Sequence, residues 1–178
     1  PLYATPRLGA ELGLRHLWVK DDGRNPTASF KDRASAIAVV KGRERGAKII
    51  TTASTGNAAA ALSGICSSVQ AADAYGWYNR NTGFNPYMSE GKKTATLEIC
   101  EQLAWNAPDR IFVSVGDGCI IGGLHKGLKD LMALGWIEKM PKLMGIQAAG
   151  SNYLAEAWAN GEDVLTNAPI HDHTVADS

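Results

Sequence analysis

Asn25-Pro26-Thr27-Ala28-Ser29-Phe30-Lys31-Asp32-Arg33 puts one lysine in an unusual setting. Asn25-Pro26 signals a turn, because proline fixes its own φ and pushes the residue before it out of the helical region. Ser29 is then placed to cap a helix, with Asp32 three residues on as the acidic partner of a capping box. The small and apolar residues from Ala34 to Val40 continue that helix. Lys31 falls in its first turn, where the positive end of the helix dipole disfavours a further positive charge. A lysine held there, and partly buried, is a candidate amine nucleophile. A surface lysine on a helix is the competing reading, and for a lysine taken alone it is the ordinary one.

Around this stretch the composition is that of a globular protein. The 178 residues, 45% apolar and 20% charged, suffice for one domain with a core or a tight pair of small ones. Lys plus Arg and Asp plus Glu both number 18, a balance that argues against a general nucleic-acid surface or an anionic membrane surface. No apolar run approaches the roughly 18 residues of a membrane span, and no signal-peptide pattern opens the chain. Cys66, Cys100 and Cys119 are odd in number and lack metal-ligand spacing, which favours a reduced, cytoplasmic setting.

Strand, turn and helix signals alternate along the chain. Leu2 to Leu8 reads as extended, and His16 to Lys20 as a short strand closed by Asp21-Asp22-Gly23. Gly46 is a natural end for the Lys31 helix. Lys48 to Thr52 is a β-rich run, followed by Ser54-Thr55-Gly56-Asn57 and an alanine-rich helix from Ala58. Such a turn aims backbone amides at an anion, although a plain strand-to-helix turn explains it as well. A helix from about Glu90 to Trp105 buries Ala95, Ile99 and Leu103. Arg110 to Val115 reads as a buried strand and leads through the glycine-rich Gly116 to Gly123 into a helix with Leu124, Leu128 and Leu131 on one side. That second strand-to-helix loop suits a phosphate. Lys142 to Ala148 is a further strand, and Ser151 caps a helix ending at Asn160-Gly161.

Several motifs are excluded by their own spacing. Gly91-Lys92-Lys93-Thr94 lacks the first glycine and the hydroxyl residue of a P-loop, and Ile121 occupies the third glycine position of a dinucleotide loop. His171 and His173 could reach one metal from an extended strand but have no third ligand, so no metal is expected.

The opening nine residues match, at every position, the lysine motif N-P-T-[GA]-S-F-K-D-R of the threonine synthase family of pyridoxal 5'-phosphate (PLP) enzymes, which this chain resembles. The resemblance extends to Ser54-Thr55-Gly56-Asn57, similar to the family's S-[ST]-G-N loop, and to Glu90 to Thr94, similar to E-G-[KQ]-K-T. It implies an α/β fold of fold type II, with open, mostly parallel sheets and flanking helices in two lobes, incomplete in this chain. Lys31 would carry PLP as a Schiff base (the Lys31 aldimine) and act as acid–base group. Ser54, Thr55, Gly56, Asn57 and Ala58 would hold the substrate carboxylate, with Asn57 also against the cofactor ring. Gly116, Asp117, Gly118, Cys119 and Ile120 would cradle the cofactor phosphate. Asp117, Cys119 and Ile120 depart from the family's loop pattern, and Asp117 brings negative charge towards the phosphate unless its side chain turns away.

By the same resemblance, 1–30 and 88–178 form a larger PLP-binding lobe, incomplete at its C-terminal end, and 31–87 the remnant of a smaller mobile lobe. The chain passes from Val69 to Gln70 where the family has one or two further strand–helix units, on the order of 50 residues. A break or omission is therefore expected near 69–70. The implied reaction converts O-phosphohomoserine and water to threonine and phosphate in a homodimer. Met88 stands where many members carry an arginine that helps hold the substrate phosphate. Another PLP-dependent lyase or deaminase, or a non-catalytic ligand-binding homologue, remains the alternative.

Overall fold

In the computed structural model, which describes residues 1–26, 28–51, 73–81 and 84–162, strands pair two by two. β1 (Leu2–Ala4) runs antiparallel to β2 (Trp18–Lys20). β3 (Ile50–Thr51) lies parallel to β4 (Tyr78–Asn79), and β5 (Arg110–Ser114) parallel to β6 (Lys142–Ile146) over five residues. The described helices are α1 (Pro6–Glu11), α2 (Lys31–Glu44), α3 (Tyr87–Gln102), α4 (Cys119–Ala133) and α5 (Tyr153–Asn160). β5, α4 and β6 make a βαβ unit, since parallel neighbours need a crossover long enough to hold a helix. The protein is thus α/β, with parallel pairing and helices packed on the strands. No helix among the described residues is long and apolar enough to cross a membrane.

Local chemistry explains where elements differ from expectation. The extended segment stops at Ala4, because Pro6 opens α1 instead: its fixed φ and missing N–H suit the first helical position. Ser29 does not cap α2 as a full capping box. Its Oγ accepts the Lys31 amide at 3.1 Å, two residues on, and the helix begins at Lys31 itself. Arg110–Ser114 is only half buried: Val113 faces the core while Phe112 is exposed on the other side. Ser151 lies in a 3₁₀ turn, and the Gln147 side-chain Oε1 caps α5 by accepting the amides of Leu154 and Ala155 at 3.1 and 3.2 Å. The expected junction at Val69–Gln70, the helix from Ala58 and the His171/His173 pair lie outside the described residues.

α3 is the central strut, flanked by α2 and α4. At Gly91 any Cβ would run into the Arg33 carbonyl and the Ala34 backbone, so glycine lets α2 close onto α3. Gly127 of α4 does the same opposite Thr96 and Lys93. The fully buried Thr96 hydroxyl donates across this seam to the Leu124 carbonyl at 3.1 Å, as well as back to Lys93 at 2.9 Å. On the α2 side Ala34, Ala38 and Met88 form one apolar cluster. On the α4 side Ala95, Val113 and Leu124 form another, and Cys100, Ala107, Leu128, Leu131 and Ile137 a third. Truncating Leu128 or Leu131, neither with appreciable exposure, would cost about 2–5 kcal/mol by the usual cavity arithmetic.

A charged knot ties this core to the N-terminal strands. The Arg33 side chain, 7% exposed, reaches Asp22 through Nη2 (2.6 Å) and Nε (3.1 Å), and Glu98 through Nη1 (2.7 Å) and Nη2 (2.8 Å). Nη1 also donates to Thr94 at 3.0 Å, and Lys20 Nζ joins Glu98 at 2.6 Å. The hydrogen bond from Arg33, aided by Lys20, holds Glu98 down to about 2, while Glu98 and Asp22 raise the Arg33 pKa still higher. α3 and α4 are joined at their outer edge by Lys93, which bonds Glu90 (2.7 Å) and Asp130 (2.8 Å).

All five of these helices close on the same double bond of a Schellman turn, with a residue in the left-handed region. Gly13, Gly46, Gly135 and Gly161 serve at four of them, but Ala104 (φ 51°) serves at the end of α3, with the Trp105 amide on the Cys100 carbonyl at 2.7 Å. An L-residue in that region costs about 1–2 kcal/mol, against about 0.5–1 for ordering a glycine. Ala104→Gly should therefore raise the unfolding free energy by about 0.5–1 kcal/mol in urea. Removing the arginine is expected to do far more. Arg33→Met leaves Asp22 and the partly exposed Glu98 without their main partner, and should cost about 2–4 kcal/mol. The acid response follows from Glu98, whose folded pKa is depressed from 4.5 to about 2. Its contribution is present above pH 4.5 and lost as pH falls towards 2. Urea midpoints across that window should fall less steeply in Glu98→Gln than in the parent.

Candidate active site

The loop before α2 is built by local bonds. The Ala28 amide donates to the Asn25 carbonyl at 2.8 Å, and Asn25 Nδ2 donates to the Ser29 carbonyl at 3.1 Å. Ala28 sits at φ 53°, a left-handed position that explains why only a very small residue is suited to it. The loop delivers Lys31 as the first residue of α2, with Arg33 two residues on locked into its carboxylates. The partial burial expected of Lys31 is not found: the residue is exposed. It lies one turn before Ala34, where Gly91 of α3 meets the helix, and helical side chains lean towards the N-terminus, so Lys31 runs away from that contact.

The second loop, between β5 and α4, has the geometry of an anion cradle. Gly118 takes φ 78° and a Cβ added there meets nothing within 4 Å, so the loop is open on that side. Its carbonyl accepts the Gly122 amide at 3.0 Å, while the amides of Ile120 and Ile121 belong to the first turn, which has no intrahelical acceptors. No acidic residue lies within that turn. Asp117 does turn back: its carboxylate accepts the Cys119 amide at 2.9 Å. One cradle amide is therefore already taken by a carboxylate, and a phosphate here must share or displace it. Burial, and then the Asp117 charge, push the Cys119 thiol above its ordinary value.

The two loops converge. Phe30, beside Lys31, packs on the Ala95, Val113 and Leu124 cluster together with Ile120 and Ile121 of the cradle helix. The amine-bearing residue and the glycine cradle thus adjoin one patch of core, the arrangement a cofactor with an aldehyde at one end and a phosphate at the other requires. The residues present fit PLP in this respect: Lys31 would offer the amine, and Gly116, Gly118, Cys119 and Ile120 would line the phosphate end. Ser54, Thr55, Gly56, Asn57 and Ala58 lie outside the described residues.

Three features went unread in the sequence. Tyr153 at the start of α5 donates its hydroxyl to the Gly116 carbonyl at 2.7 Å and so pins the cradle loop. Met88 is 3% exposed against Ala34 and Ala38, so the position is one of packing. Lys92, 5% exposed, is buried on the same stripe of α3. The stripe was legible: Met88, Lys92, Ala95 and Ile99 recur at helical spacing, with a lysine among apolar residues.

Comparison with known proteins agrees with this geometry. The profile of the family described as pyridoxal-phosphate dependent enzyme matches residues 1–74 and 67–178. The threonine synthases of Methanocaldococcus jannaschii and Methanosarcina acetivorans are 33% and 34% identical, over 89% and 93% of this chain and 49% and 51% of those proteins. The chain spans about half the length of these curated relatives. Their alignments run over 201 and 209 residues, more than its own 178, so the relatives carry residues with no counterpart here. A solved PLP-dependent aspartate racemase has a TM-score of 0.71 at 18% identity, over 99% of this chain and 65% of that one, a likeness of fold. With the family match running through both the Lys31 helix and the glycine loop, the chain belongs to the pyridoxal-phosphate-dependent enzymes, with pyridoxal 5'-phosphate as cofactor.

Proposed function

We propose that this protein is a lyase of the threonine synthase kind, acting on O-phosphohomoserine and water to give threonine and phosphate. The observation that carries this reading is Lys31 at the head of α2, presented by the complete nine-residue loop and helix start and braced by Arg33. That the curated relatives at 33% and 34% identity are threonine synthases supports the choice of reaction. PLP, when bound, supplies the electron sink for carbon chemistry at the amino acid. Lys31 would supply the amine that holds the cofactor and would carry protons at the substrate's carbon skeleton. Ser54, Thr55, Gly56, Asn57 and Ala58 are assigned to the substrate carboxylate, with Asn57 also on the cofactor ring.

One observation favours a second reading, a deaminase or another amino-acid lyase on the same fold. Met88 takes the place of a phosphate-holding arginine and is packed into the α2–α3 core.

Borohydride reduction followed by peptide mapping tests the amine. A pyridoxyl group is expected on Lys31, and Lys31→Ala should lose both that label and the yellow cofactor band. A label on Lys20 or Lys92 instead overturns the assignment. For the substrate, loss of one charge-assisted bond costs roughly one to two decades in affinity. kcat/KM for O-phosphohomoserine should therefore fall below that of arginine-bearing relatives by about that factor. An undiminished value would remove the argument from Met88, and faster turnover of serine or threonine would favour the deaminase.

A further inference from the structure

We infer that Lys92 is a phosphate-binding residue, a largely buried lysine whose ammonium lies at the N-terminus of α4, holds the cofactor phosphate and offsets the charge of Asp117. This rests on reading the Gly116–Ile120 loop as the phosphate cradle.

The Lys92 residue is 5% exposed, and an ammonium at the edge of so covered a site is stabilised when an anion faces it. Its neighbour Lys93 has Glu90 and Asp130, and Lys20 has Glu98. Among the described residues Lys92 has no carboxylate partner.

Its direction follows from the packing of α3 on α4. A Cβ built on Gly123 would come within 2.8 Å of Lys92 Cβ, and one on Gly127 within 2.8 Å of Lys93 Cγ, while Lys93 Nζ reaches Asp130. Contacts therefore advance together along both helices, which run in the same sense. Helical side chains lean towards the N-terminus, so the Lys92 stem passes over Gly123 and carries its charge towards Cys119, one turn earlier. Lys92 lies close enough to Cys119 for its charge to favour the thiolate, against the burial and the Asp117 charge that push the thiol up.

The assembly is then an open glycine loop, a fifteen-residue helix presenting its first-turn amides, and a largely buried lysine with no carboxylate partner among the described residues. Asp117 alone would repel a phosphate from this loop. Lys92 restores the balance, and a doubly charged phosphate can take the Cys119 amide that the carboxylate now holds.

The test compares PLP with pyridoxal, which has the aldehyde but no phosphate. Dissociation constants are measured spectrophotometrically for the full chain and for Lys92→Met, Lys92→Gln and Asp117→Asn. The lysine variants should weaken PLP binding by roughly ten- to a hundred-fold and leave pyridoxal unchanged, while Asp117→Asn should tighten PLP alone. Equal losses for both ligands, or none, overturn the inference. Where neither lysine variant folds by circular dichroism, Asp117→Asn decides, and failure to tighten PLP relative to pyridoxal overturns it. A borohydride label away from Lys31 with an intact Lys92 effect would refute the lysine assignment and leave this inference standing. A label on Lys31 with no Lys92 effect would do the reverse.

Discussion

The fold hangs on the guanidinium of Arg33. It is nearly buried, it holds two carboxylates on adjoining edges of its plane, and each comes from a different part of the chain: Asp22 from the turn after β2, Glu98 from α3. A pair of buried charges is weak evidence of stability in itself, since desolvation cancels much of the attraction. Its value here is positional. The planar fork fixes the rotation of α2 about its axis, and with it the direction of the first turn that presents Lys31. A residue two positions from the proposed reacting amine thereby orients it without taking part in chemistry.

α3 converts that local restraint into a framework. Gly91 admits α2 on one side and Gly127 admits α4 on the other, so three helices approach more closely than larger side chains would allow. Close approach brings the head of α2 and the head of α4 to the same end of α3. Phe30 and Ile120 then share one apolar cluster, so the start of the Lys31 helix and the anion cradle, about half the chain's length apart, adjoin one patch of core. Tyr153 adds a last brace by holding the Gly116 carbonyl.

The charges at the cradle carry opposite signs for a physical reason. A helix N-terminus attracts anions, and here Asp117 already answers it by capping Cys119. A phosphate competing with that carboxylate gains from a cation in a largely covered site, where screening is weaker than in open water. The buried stripe of α3 supplies one.

Short-range features were legible in the sequence. Pro26, Ser29 and Gly46 locate the ends of α2, and strand-to-helix glycine loops announce an anion site, because turns and caps depend on residues a few positions apart. The nine residues around Lys31 identified the kind of chemistry for the same reason. Local signals misled where a neighbour intervened: Pro6 opened a helix inside an extended run, and Gln147 replaced Ser151 as the cap of α5. Arg33 and Glu98 lie 65 positions apart, and no spacing rule joins them. Packing alone turned Lys31 outward, buried Met88 and Lys92, and carried Lys92 towards the cradle, since which side of a helix is buried, and against what, is decided by the helices that close upon it.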